Sequence, residues 1–551
     1  MKRALTFILL MVLPIIISAN NKNDDRNIEI SKNLDVFNSL YKELELFYVD
    51  TIKPESTIKH GIDAMLQHLD PYTTYIPESE LERLKFMTTG EYAGIGCVIS
   101  KNEEGIYITD VYEGMPAHKN GIKVGDIISK IDGEETKKMS STEASEKMKG
   151  EAKTMVTFTI KNPITHKERK VEVMREKIAI PAIQYYDTLS NGMGYICISS
   201  FTEKSGSAFK EAFLDLKNNY KINSLVIDLR NNPGGILSEA VDIVNLFVDK
   251  KSTIVYTKGK NKDLDETYKA RKEPIDKDIP IFVWVNRNSA SASEILAGAL
   301  QDLDRAIIIG ERTFGKGLVQ TTRELPYGGN LKVTIAKYYI PSGRCIQSID
   351  YSNRDEEGYV TRIPDSLTSE FKTQNGRIVR DGGGINPDVQ IEMKNHATVT
   401  YYLYQKELIF NFVTNYLHKH PNIAPAKSFQ FSDKDYAEFI EYVKGKNFTY
   451  KLKGEEGILA LKDIIKSEGY LDYAKEEFEA LEKKLTHNID NDLTLFKEEI
   501  KELISIEILK RIYYQKGEFI ETLKRDEYKQ KNLELLADEK NWKELLMPKK
   551  K

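Results

Sequence analysis

The stretch Ile279–Gln320 decides the fold of the central region and reads IPIFVWVNRNSASASEILAGALQDLDRAIIIGERTFGKGLVQ. Its apolar run Ile281–Val285 predicts a buried strand, and the polar residues 286–289 predict a turn. A helical pattern begins near Ala292, which places Ser291 at a helix N-terminus. The free N–H groups and the dipole at such a terminus stabilise negative charge on a reacting oxygen. Ser291 therefore suits a nucleophile whose substrate becomes an oxyanion.

A lysine between two glycines lies 25 positions after Ser291 and is the predicted base. It follows a second apolar run, residues 306–309, in the sequence Gly315-Lys316-Gly317. A hydroxyl nucleophile needs a partner that takes its proton, most often histidine, yet none of the eight histidines falls between Lys167 and Asn395. A lysine can replace histidine if burial lowers the pKa of its ammonium from about 10.4 to roughly 7–8. This interpretation requires a site from which water is excluded.

Two other interpretations of this stretch stay open at this point. The serines of Ser289–Glu294 can form an ordinary helix start, with one of them as the N-cap and the glutamate in the first turn. Gly310–Lys316 also fits the spacing G-x-x-x-x-G-K of a phosphate-binding loop that follows a strand. That motif fails at its last position, because Gly317 stands where a serine or threonine would bind magnesium. Residues 318–325 moreover alternate like a strand where a helix is needed.

Length and composition limit the classes of protein that fit. A chain of 551 residues is too long for one ordinary core, so two to four domains are expected. The net charge of −4 gives no signature of nucleic-acid binding. Cys97, Cys197 and Cys345 lie too far apart in sequence to indicate a metal site or a disulfide framework, so core or free thiols are expected. No metal or other cofactor is predicted.

The N-terminus has the layout of a secretory signal peptide over residues 1–19. Lys2 and Arg3 precede the apolar run Ala4–Ile17, and the small residues Ser18-Ala19 end it. The run is short for a transmembrane helix, although an uncleaved segment would anchor the protein in a membrane. The mature protein is therefore expected to be exported to the periplasm or the cell envelope.

The motifs around Ser291 and Lys316 resemble those of C-terminal processing peptidases, also called tail-specific proteases. The family motif Ser-Ala-Ser-Ala-Ser-Glu-Ile is present at Ser289–Ile295, and Thr-Phe-Gly-Lys-Gly at Thr313–Gly317. The resemblance covers roughly Leu34–Ile391 and implies a serine protease with a Ser/Lys dyad. It also implies that a glutamine orients the amine and that two acidic residues belong to the site. The residues expected to be catalytic are Ser291, Lys316, Gln320, Glu294 and Asp302.

Strands and helices alternate from Ile178 onward, which predicts an α/β core with a largely parallel sheet. The turn Arg230–Gly235 follows an apolar strand and can aim backbone N–H groups at one point. The family places the equivalent loop beside its nucleophile. The resemblance therefore assigns the oxyanion hole to N–H groups of Gly234 or Gly235 and of Ala292.

Residues 90–173 resemble a PDZ domain, with glycines before an alternating strand and turn signals at Gly125-Asp126 and Asp132-Gly133. A generic small β domain is the alternative. Such a PDZ domain binds the C-terminus of a peptide, which adds as a strand. Apolar surroundings favour tails that end in small or apolar residues. The expected carboxylate-binding loop consists of Gly94, Ile95, Gly96 and Cys97.

Two regions carry no chemical signature. After about residue 398 the chain is rich in Leu, Glu, Lys and Tyr and predicts helices that join subunits, gate the substrate channel or bind an adaptor. Residues 345–383 depart from the family pattern and predict an exposed loop.

The expected fold is α/β, with a crotonase-like protease core, a PDZ domain and helical regions at both ends. The expected boundaries are 1–19 for the signal peptide, 28–88 for the N-terminal helical region, 90–175 for the PDZ domain, 176–397 for the core and 398–551 for the C-terminal helical region. The expected function is that of an exported serine endopeptidase that recognises the C-terminal tail of protein substrates. The alternative is a noncatalytic PDZ scaffold on an inactive peptidase fold.

Overall fold

The computed structural model describes residues 2–351, 354, 360–392, 395–450, 452–485 and 488–548. The side chains of residues 1–24, 455, 484, 485 and 541 lie outside this description. The described chain forms two compact units, one of residues 1–76 with 322–333 and one of residues 77–321 with 334–551.

The first unit is mainly helical, as its sequence pattern predicts. Asp70 ends the second helix, because its carboxylate accepts the N–H groups of Tyr72 and Thr73, both at 2.8 Å. A short strand follows and pairs antiparallel with residues 330–332. Within the described part of the chain, we find no helix whose length and apolar character suit a membrane span. The elements are α1 (Lys2–Phe47), α2 (Pro54–Gln67) and β1 (Thr74–Ile76).

The second unit begins with a small antiparallel β domain. Its main sheet has the strand order β3-β4-β5-β7-β8, and β2 pairs separately with β9. The glycines expected before an alternating strand lie at the turn between β2 and β3, where Gly96 has φ 75°. The elements are α3 (Leu81–Thr89), β2 (Glu91–Gly94), β3 (Cys97–Asn102), β4 (Gly105–Val111), α4 (Pro116–Lys119), β5 (Ile127–Ile131), β6 (Glu134–Glu135), α5 (Ser141–Met148), β7 (Met155–Lys161), β8 (Glu168–Met174) and β9 (Glu176–Ala179).

The α/β core follows and contains the predicted parallel sheet. Its strand order is β10-β11-β12-β15-β16-β21, and every neighbouring pair except β10 with β11 is parallel. The elements are β10 (Ile183–Thr188), β11 (Met193–Ile198), α6 (Ser205–Asn219), β12 (Ser224–Asp228), α7 (Leu237–Val244), β13 (Thr253–Gly259), β14 (Thr267–Lys269), β15 (Ile281–Val285), α8 (Ala292–Asp302), β16 (Ile307–Gly310), β17 (Leu318–Glu324), β18 (Asn330–Tyr339), β19 (Glu370–Lys372), β20 (Ile378–Arg380) and β21 (Val389–Gln390). The strand β17 stands where a phosphate-binding loop requires a helix, which removes that interpretation.

The C-terminal region is helical, as predicted from its composition. Its first helices enclose their own core around Phe412, Phe439 and Ile504. The helices are α9 (Thr398–Gln405), α10 (Leu408–Lys419), α11 (Asp433–Gly445), α12 (Lys453–Ser467), α13 (Lys475–Leu485), α14 (Ile489–Leu495), α15 (Lys497–Thr522), α16 (Glu527–Ala537) and α17 (Glu539–Glu544).

The parallel sheet is buried on both faces by helices. Side chains alternate along each strand, so Val283 of β15 packs in the cluster that contains α6, α7 and α8. Its neighbours Phe282 and Trp284 pack in a second cluster with Leu523, Tyr528, Leu535 and Trp542. The end of the C-terminal region therefore covers one face of the core sheet.

Residues 345–383 were expected to form an exposed loop, and this expectation is wrong for residues 346–348 and for the hairpin of the paired strands β19 and β20, where Thr373, Arg377 and Val379 are buried. Ile346, Gln347 and Ser348 are buried, and the N–H of Gly317 donates to the Gln347 side chain at 2.7 Å. These residues support the loop that carries Lys316. Residues 352, 353 and 355–359 of this segment lie outside the described part. All three cysteines are free thiols, as predicted.

Candidate active site

Ser291 lies in the sharp turn between β15 and α8, which we call the serine turn (residues 286–292). Its backbone has φ 56° and ψ −115°, a conformation that costs on the order of 1–3 kcal/mol and clusters at functional sites. The hydroxyl of Ser289 donates to the carbonyl of Leu229 at 2.8 Å and accepts the N–H of Asn286 at 2.9 Å. These bonds attach the serine turn to the end of β12.

Glu294 joins the serine turn to the loop that carries Lys316, which we call the lysine loop (residues 310–317). Its fully buried carboxylate accepts the N–H of Ser291 at 2.8 Å and that of Lys316 at 2.9 Å, both on Oε2. Oε1 accepts the Thr313 hydroxyl at 2.6 Å and the Gly315 N–H at 2.7 Å. Burial raises the pKa of this carboxyl to about 7, while the four donors oppose that rise.

The backbones of Ser291 and Lys316 share a second hydrogen-bond partner, Tyr338 of β18. The Tyr338 hydroxyl lies 3.2 Å from the carbonyl oxygen of Ser291 and also donates to the carbonyl of Lys316. Tyr338 is only 1% exposed, so its hydroxyl has little access to water. The structure thus brings the two motifs together through one carboxylate and one phenol. The Lys316 residue is half-buried.

The other two side chains expected at the site have different surroundings. The Gln320 amide nitrogen lies 3.2 Å from the hydroxyl of Thr334. Asp302 lies at the far end of the 11-residue helix α8, roughly 16 Å along the axis from Ser291. There it forms a buried ion pair with Arg344 at 2.9 Å and accepts the N–H of Ser342 at 2.9 Å. The structure therefore separates Asp302 from the serine.

The loop of residues 230–235, which we call the glycine loop, lies against the serine turn. A side-chain carbon on Gly234 would lie 2.7 Å from the Cβ of Ser291 and 2.9 Å from the N of Ala292. The Gly234 N–H donates to the side chain of Asn232 at 2.8 Å and is therefore engaged. The bridge between Gly235 and Phe201 uses the N–H groups of Phe201 and Ile236. It leaves the Gly235 N–H as the donor that this loop can present beside Ala292.

Comparisons with known proteins agree with this arrangement. The profile of "Peptidase family S41" matches residues 192–352, that of "PDZ domain" residues 83–161, and that of "Probable PDZ-protease, C-terminal helical domain" residues 399–536. A carboxy-terminal-processing protease of Bartonella bacilliformis is 35% identical over 343 residues, which are 62% of this chain and 77% of that protein. The chain belongs to this protease family. It is a serine-type peptidase with a PDZ domain.

Other relatives cover similar parts of the chain. A probable CtpA-like serine protease of Staphylococcus aureus is 36% identical over 333 residues, which are 60% of this chain and 64% of that protein. Among solved structures, a photosystem II D1 C-terminal processing protease is 29% identical and covers 64% of this chain and 86% of its own, with a TM-score of 0.36.

The expected carboxylate-binding loop forms the bend between β2 and β3. The carbonyls of Ile95 and Gly96 accept the N–H groups of Ala117 at 2.8 Å and Tyr112 at 3.1 Å. Cys97 follows as the first residue of β3, and burial raises the pKa of its thiol to about 12. The loop is therefore held by its carbonyls.

Sequence reasoning about this protease missed two residues that organise the site. Asn232 is fully buried, and its amide nitrogen donates to the carbonyl of Ile198 at 2.8 Å while its oxygen binds Gly234. Tyr338 lies 22 positions beyond Lys316 on a strand whose pattern signals only burial. The predicted turn at residues 230–235 contains Asn232 but does not reveal its bond to Ile198, and no local motif marks Tyr338, whose partners are distant in the chain.

Proposed function

We propose that this protease is an exported endopeptidase that captures the C-terminal tail of a protein through its PDZ domain and cleaves peptide bonds with a Ser291–Lys316 dyad. The export rests on the basic and apolar pattern of residues 1–19. Tail capture rests on the glycine-containing bend at Gly94–Cys97 beside β3, the edge strand of its sheet. The dyad rests on the convergence of the serine turn and the lysine loop.

The chemistry follows the rules of acyl transfer. The uncharged amine of Lys316 accepts the proton of the Ser291 hydroxyl as the oxygen attacks the peptide carbonyl. The N–H groups of Gly235 and Ala292 stabilise the negative oxygen of the tetrahedral intermediate. The lysine then gives the proton to the leaving amine, and an acyl-enzyme forms. Water releases the acid, with the same lysine as its base.

The observation that carries this proposal is the shared carboxylate of Glu294. One of its oxygens accepts the N–H of Ser291 at 2.8 Å and the N–H of Lys316 at 2.9 Å. Because both bonds end on a single buried atom, the two backbones cannot separate without breaking a buried hydrogen bond. A noncatalytic scaffold has no need of such a link.

The test compares Ser291→Ala and Lys316→Ala with wild type on an unfolded protein that carries an apolar C-terminal tail. Both variants should lose cleavage, measured as new termini by mass spectrometry, and both should still bind a tail peptide. Lys337→Ala is the matched control, because that lysine is exposed on the same strand as Tyr338. Cleavage by purified Lys316→Ala at the wild-type rate would reject the dyad. Equal inactivity of wild type and Ser291→Ala would favour the scaffold.

Export has its own test. Fractionation of cells that produce the full chain should place the protein outside the cytoplasm, and N-terminal sequencing should show whether residues 1–19 are removed. Deletion of these residues should retain the protein in the cytoplasm. An unchanged distribution after the deletion would reject this part of the proposal.

A further inference from the structure

The start of α16 in the C-terminal region lies beneath the loops of the active site. Asp526 caps this helix, since its Oδ1 accepts the N–H groups of Tyr528 at 2.8 Å and Lys529 at 3.3 Å. Its other oxygen forms an ion pair with Arg230, the first residue of the glycine loop, at 2.8 Å. Asp228 forms a second ion pair with the same guanidinium nitrogen at 2.6 Å. One helix cap therefore fixes the root of the loop that is to form the oxyanion hole.

Arg230 also packs against two aromatic rings. Its guanidinium carbon lies 4.5 Å from the ring centre of Tyr528 and 4.8 Å from that of Trp284. Such stacking is favourable where water is excluded, and the Asp526 side chain is only 3% exposed. Trp284 belongs to β15, which leads directly into the serine turn. The glycine loop and the serine turn thus share this contact with α16.

Tyr528 reaches the other two loops directly. Its hydroxyl donates to the carbonyl of Val285, the last residue before the serine turn, at 3.1 Å. Gly310 begins the lysine loop, and a side-chain carbon there would lie 2.7 Å from the Tyr528 ring and 2.0 Å from the Val285 oxygen. The ring therefore occupies the space that a side chain at Gly310 would need. Asp526 and Tyr528 together contact the roots of all three loops.

We infer that Asp526 and Tyr528 are positioning residues for the protease reaction, which act by holding the roots of the glycine loop, the serine turn and the lysine loop in register. This inference rests on the proposed function of those loops. Neither residue touches the reacting atoms. Misplacement of reacting groups by about 1 Å can cost on the order of 100-fold in rate, so a support of this kind affects catalysis strongly. The C-terminal helical region is then a part of the catalytic unit.

Two conservative variants remove single contacts and keep the helix. Asp526→Asn keeps the helix cap, because asparagine is as good an N-cap as aspartate, but removes the charge that faces Arg230. Tyr528→Phe keeps the ring over Arg230 but removes the bond to Val285. The matched control is Tyr436→Phe, because Tyr436 is equally buried in the C-terminal region and donates to the backbone carbonyl of Leu493 at 2.5 Å.

The measurements separate positioning from general stability. We expect Asp526→Asn and Tyr528→Phe to lower kcat by about 10-fold or more while KM changes by less than about twofold. Labelling of Ser291 by a fluorophosphonate should slow in parallel. The Tyr436→Phe control should lower the melting temperature as much as Tyr528→Phe without this loss of kcat. A kcat equal to that of the control in both variants would overturn the inference.

Hydrogen exchange gives a readout that does not depend on catalysis. Amides in residues 229–236, 286–292 and 310–317 should exchange faster in Tyr528→Phe and Asp526→Asn than in Tyr436→Phe. Unchanged exchange in all three segments would overturn the inference even if wild type cleaves normally. If Ser291→Ala shows that the proposed function is wrong, faster exchange in these segments still supports the positioning role, so the two failures are distinguishable.

Discussion

The carboxylate of Glu294 accepts the backbone N–H of Lys316 at 2.9 Å, although the two residues are 22 positions apart. The same oxygen accepts the N–H of Ser291. An acidic residue that precedes a lysine loop in sequence thus becomes the point at which the lysine loop and the serine turn are joined. The role of Glu294 follows from its hydrogen bonds, because its carboxylate accepts from four donors.

Replacing Glu294 by glutamine should damage both folding and catalysis. All four groups around Glu294 are hydrogen-bond donors, and the amide nitrogen of glutamine cannot accept from them. Each buried donor that loses its acceptor costs about 1–3 kcal/mol of stability. We expect a lower free energy of unfolding and at least about a 10-fold loss of kcat from misaligned loops. Urea unfolding and peptide cleavage measure the two effects. Glu370→Gln, at an exposed ion pair, is the control and should change neither.

The same residue makes stability depend on pH. Burial raises the pKa of Glu294 to about 7 from an ordinary value of 4.5. The folded state therefore binds this proton more tightly than the unfolded state, so the contribution to stability is complete below about pH 4.5 and is lost as pH rises through about 7. We expect the free energy of unfolding of wild type to fall over this range relative to Glu294→Gln, which does not titrate. Parallel urea-unfolding curves at pH 4.5, 6 and 7.5 would contradict this assignment.

Local patterns in the sequence carry much of the fold. The run Ile281–Val285 forms the strand with the predicted bounds, and the helix starts at Ala292 as its periodicity indicates. Alternation after Gly317 predicts β17 and so excludes a phosphate-binding loop. These signals work because each is contained within one element, whose period reports which face is buried.

Contacts between distant parts of the chain are not encoded in such patterns. The resemblance groups Asp302 with the site, but an 11-residue helix carries it to the opposite end, where it meets Arg344. The apolar pattern around Tyr528 predicts a helix but not the sheet face that it covers, where it packs with Phe282 and Trp284. Helical periodicity identifies a buried face without identifying its partner.

Asp302 offers a test of a structural role against a catalytic one. Its side chain is fully buried in the ion pair with Arg344, so Asp302→Ala leaves a buried guanidinium without its charge partner. We expect a loss of about 3–5 kcal/mol in the free energy of unfolding. The fraction that remains folded should keep a kcat within a few-fold of wild type, measured below the melting temperature with an active-site titration by fluorophosphonate.

The control for Asp302 is an exposed pair. Glu370→Ala removes one partner of the Glu370–Arg380 pair, whose side chains are 55% and 45% exposed, and should cost no more than about 1 kcal/mol. If Asp302→Ala instead left stability unchanged and abolished turnover of the titrated sites, Asp302 would have to act on the reacting groups.

Stability and kcat should be as sensitive to substitution of Asn232 as to substitution of the residues in the two motifs. Asn232→Ala leaves the N–H of Gly234 and the carbonyl of Ile198 without partners in a buried site, at about 1–3 kcal/mol each. The released Gly234 then disturbs the glycine loop, so kcat should fall along with stability. Thermal unfolding and fluorophosphonate labelling measure these changes. Asn219→Ala, at an exposed amide on α6, should leave both unchanged.

Gly96 allows tail capture to be separated from peptide cleavage. Its φ is 75°, and a side-chain carbon would lie 2.4 Å from the Cβ of Met115, so Gly96→Ala must shift the bend between β2 and β3. Gly133 has a similar φ of 87° but no atom within 4 Å of such a carbon, which makes Gly133→Ala a control for backbone strain alone. We expect Gly96→Ala to weaken binding of an apolar tail peptide by about 10-fold or more, because the amides that we propose to hold the carboxylate move. Labelling of Ser291 should persist in both variants. Equal affinity of the two variants, measured by fluorescence anisotropy, would place the recognition of the tail outside this bend.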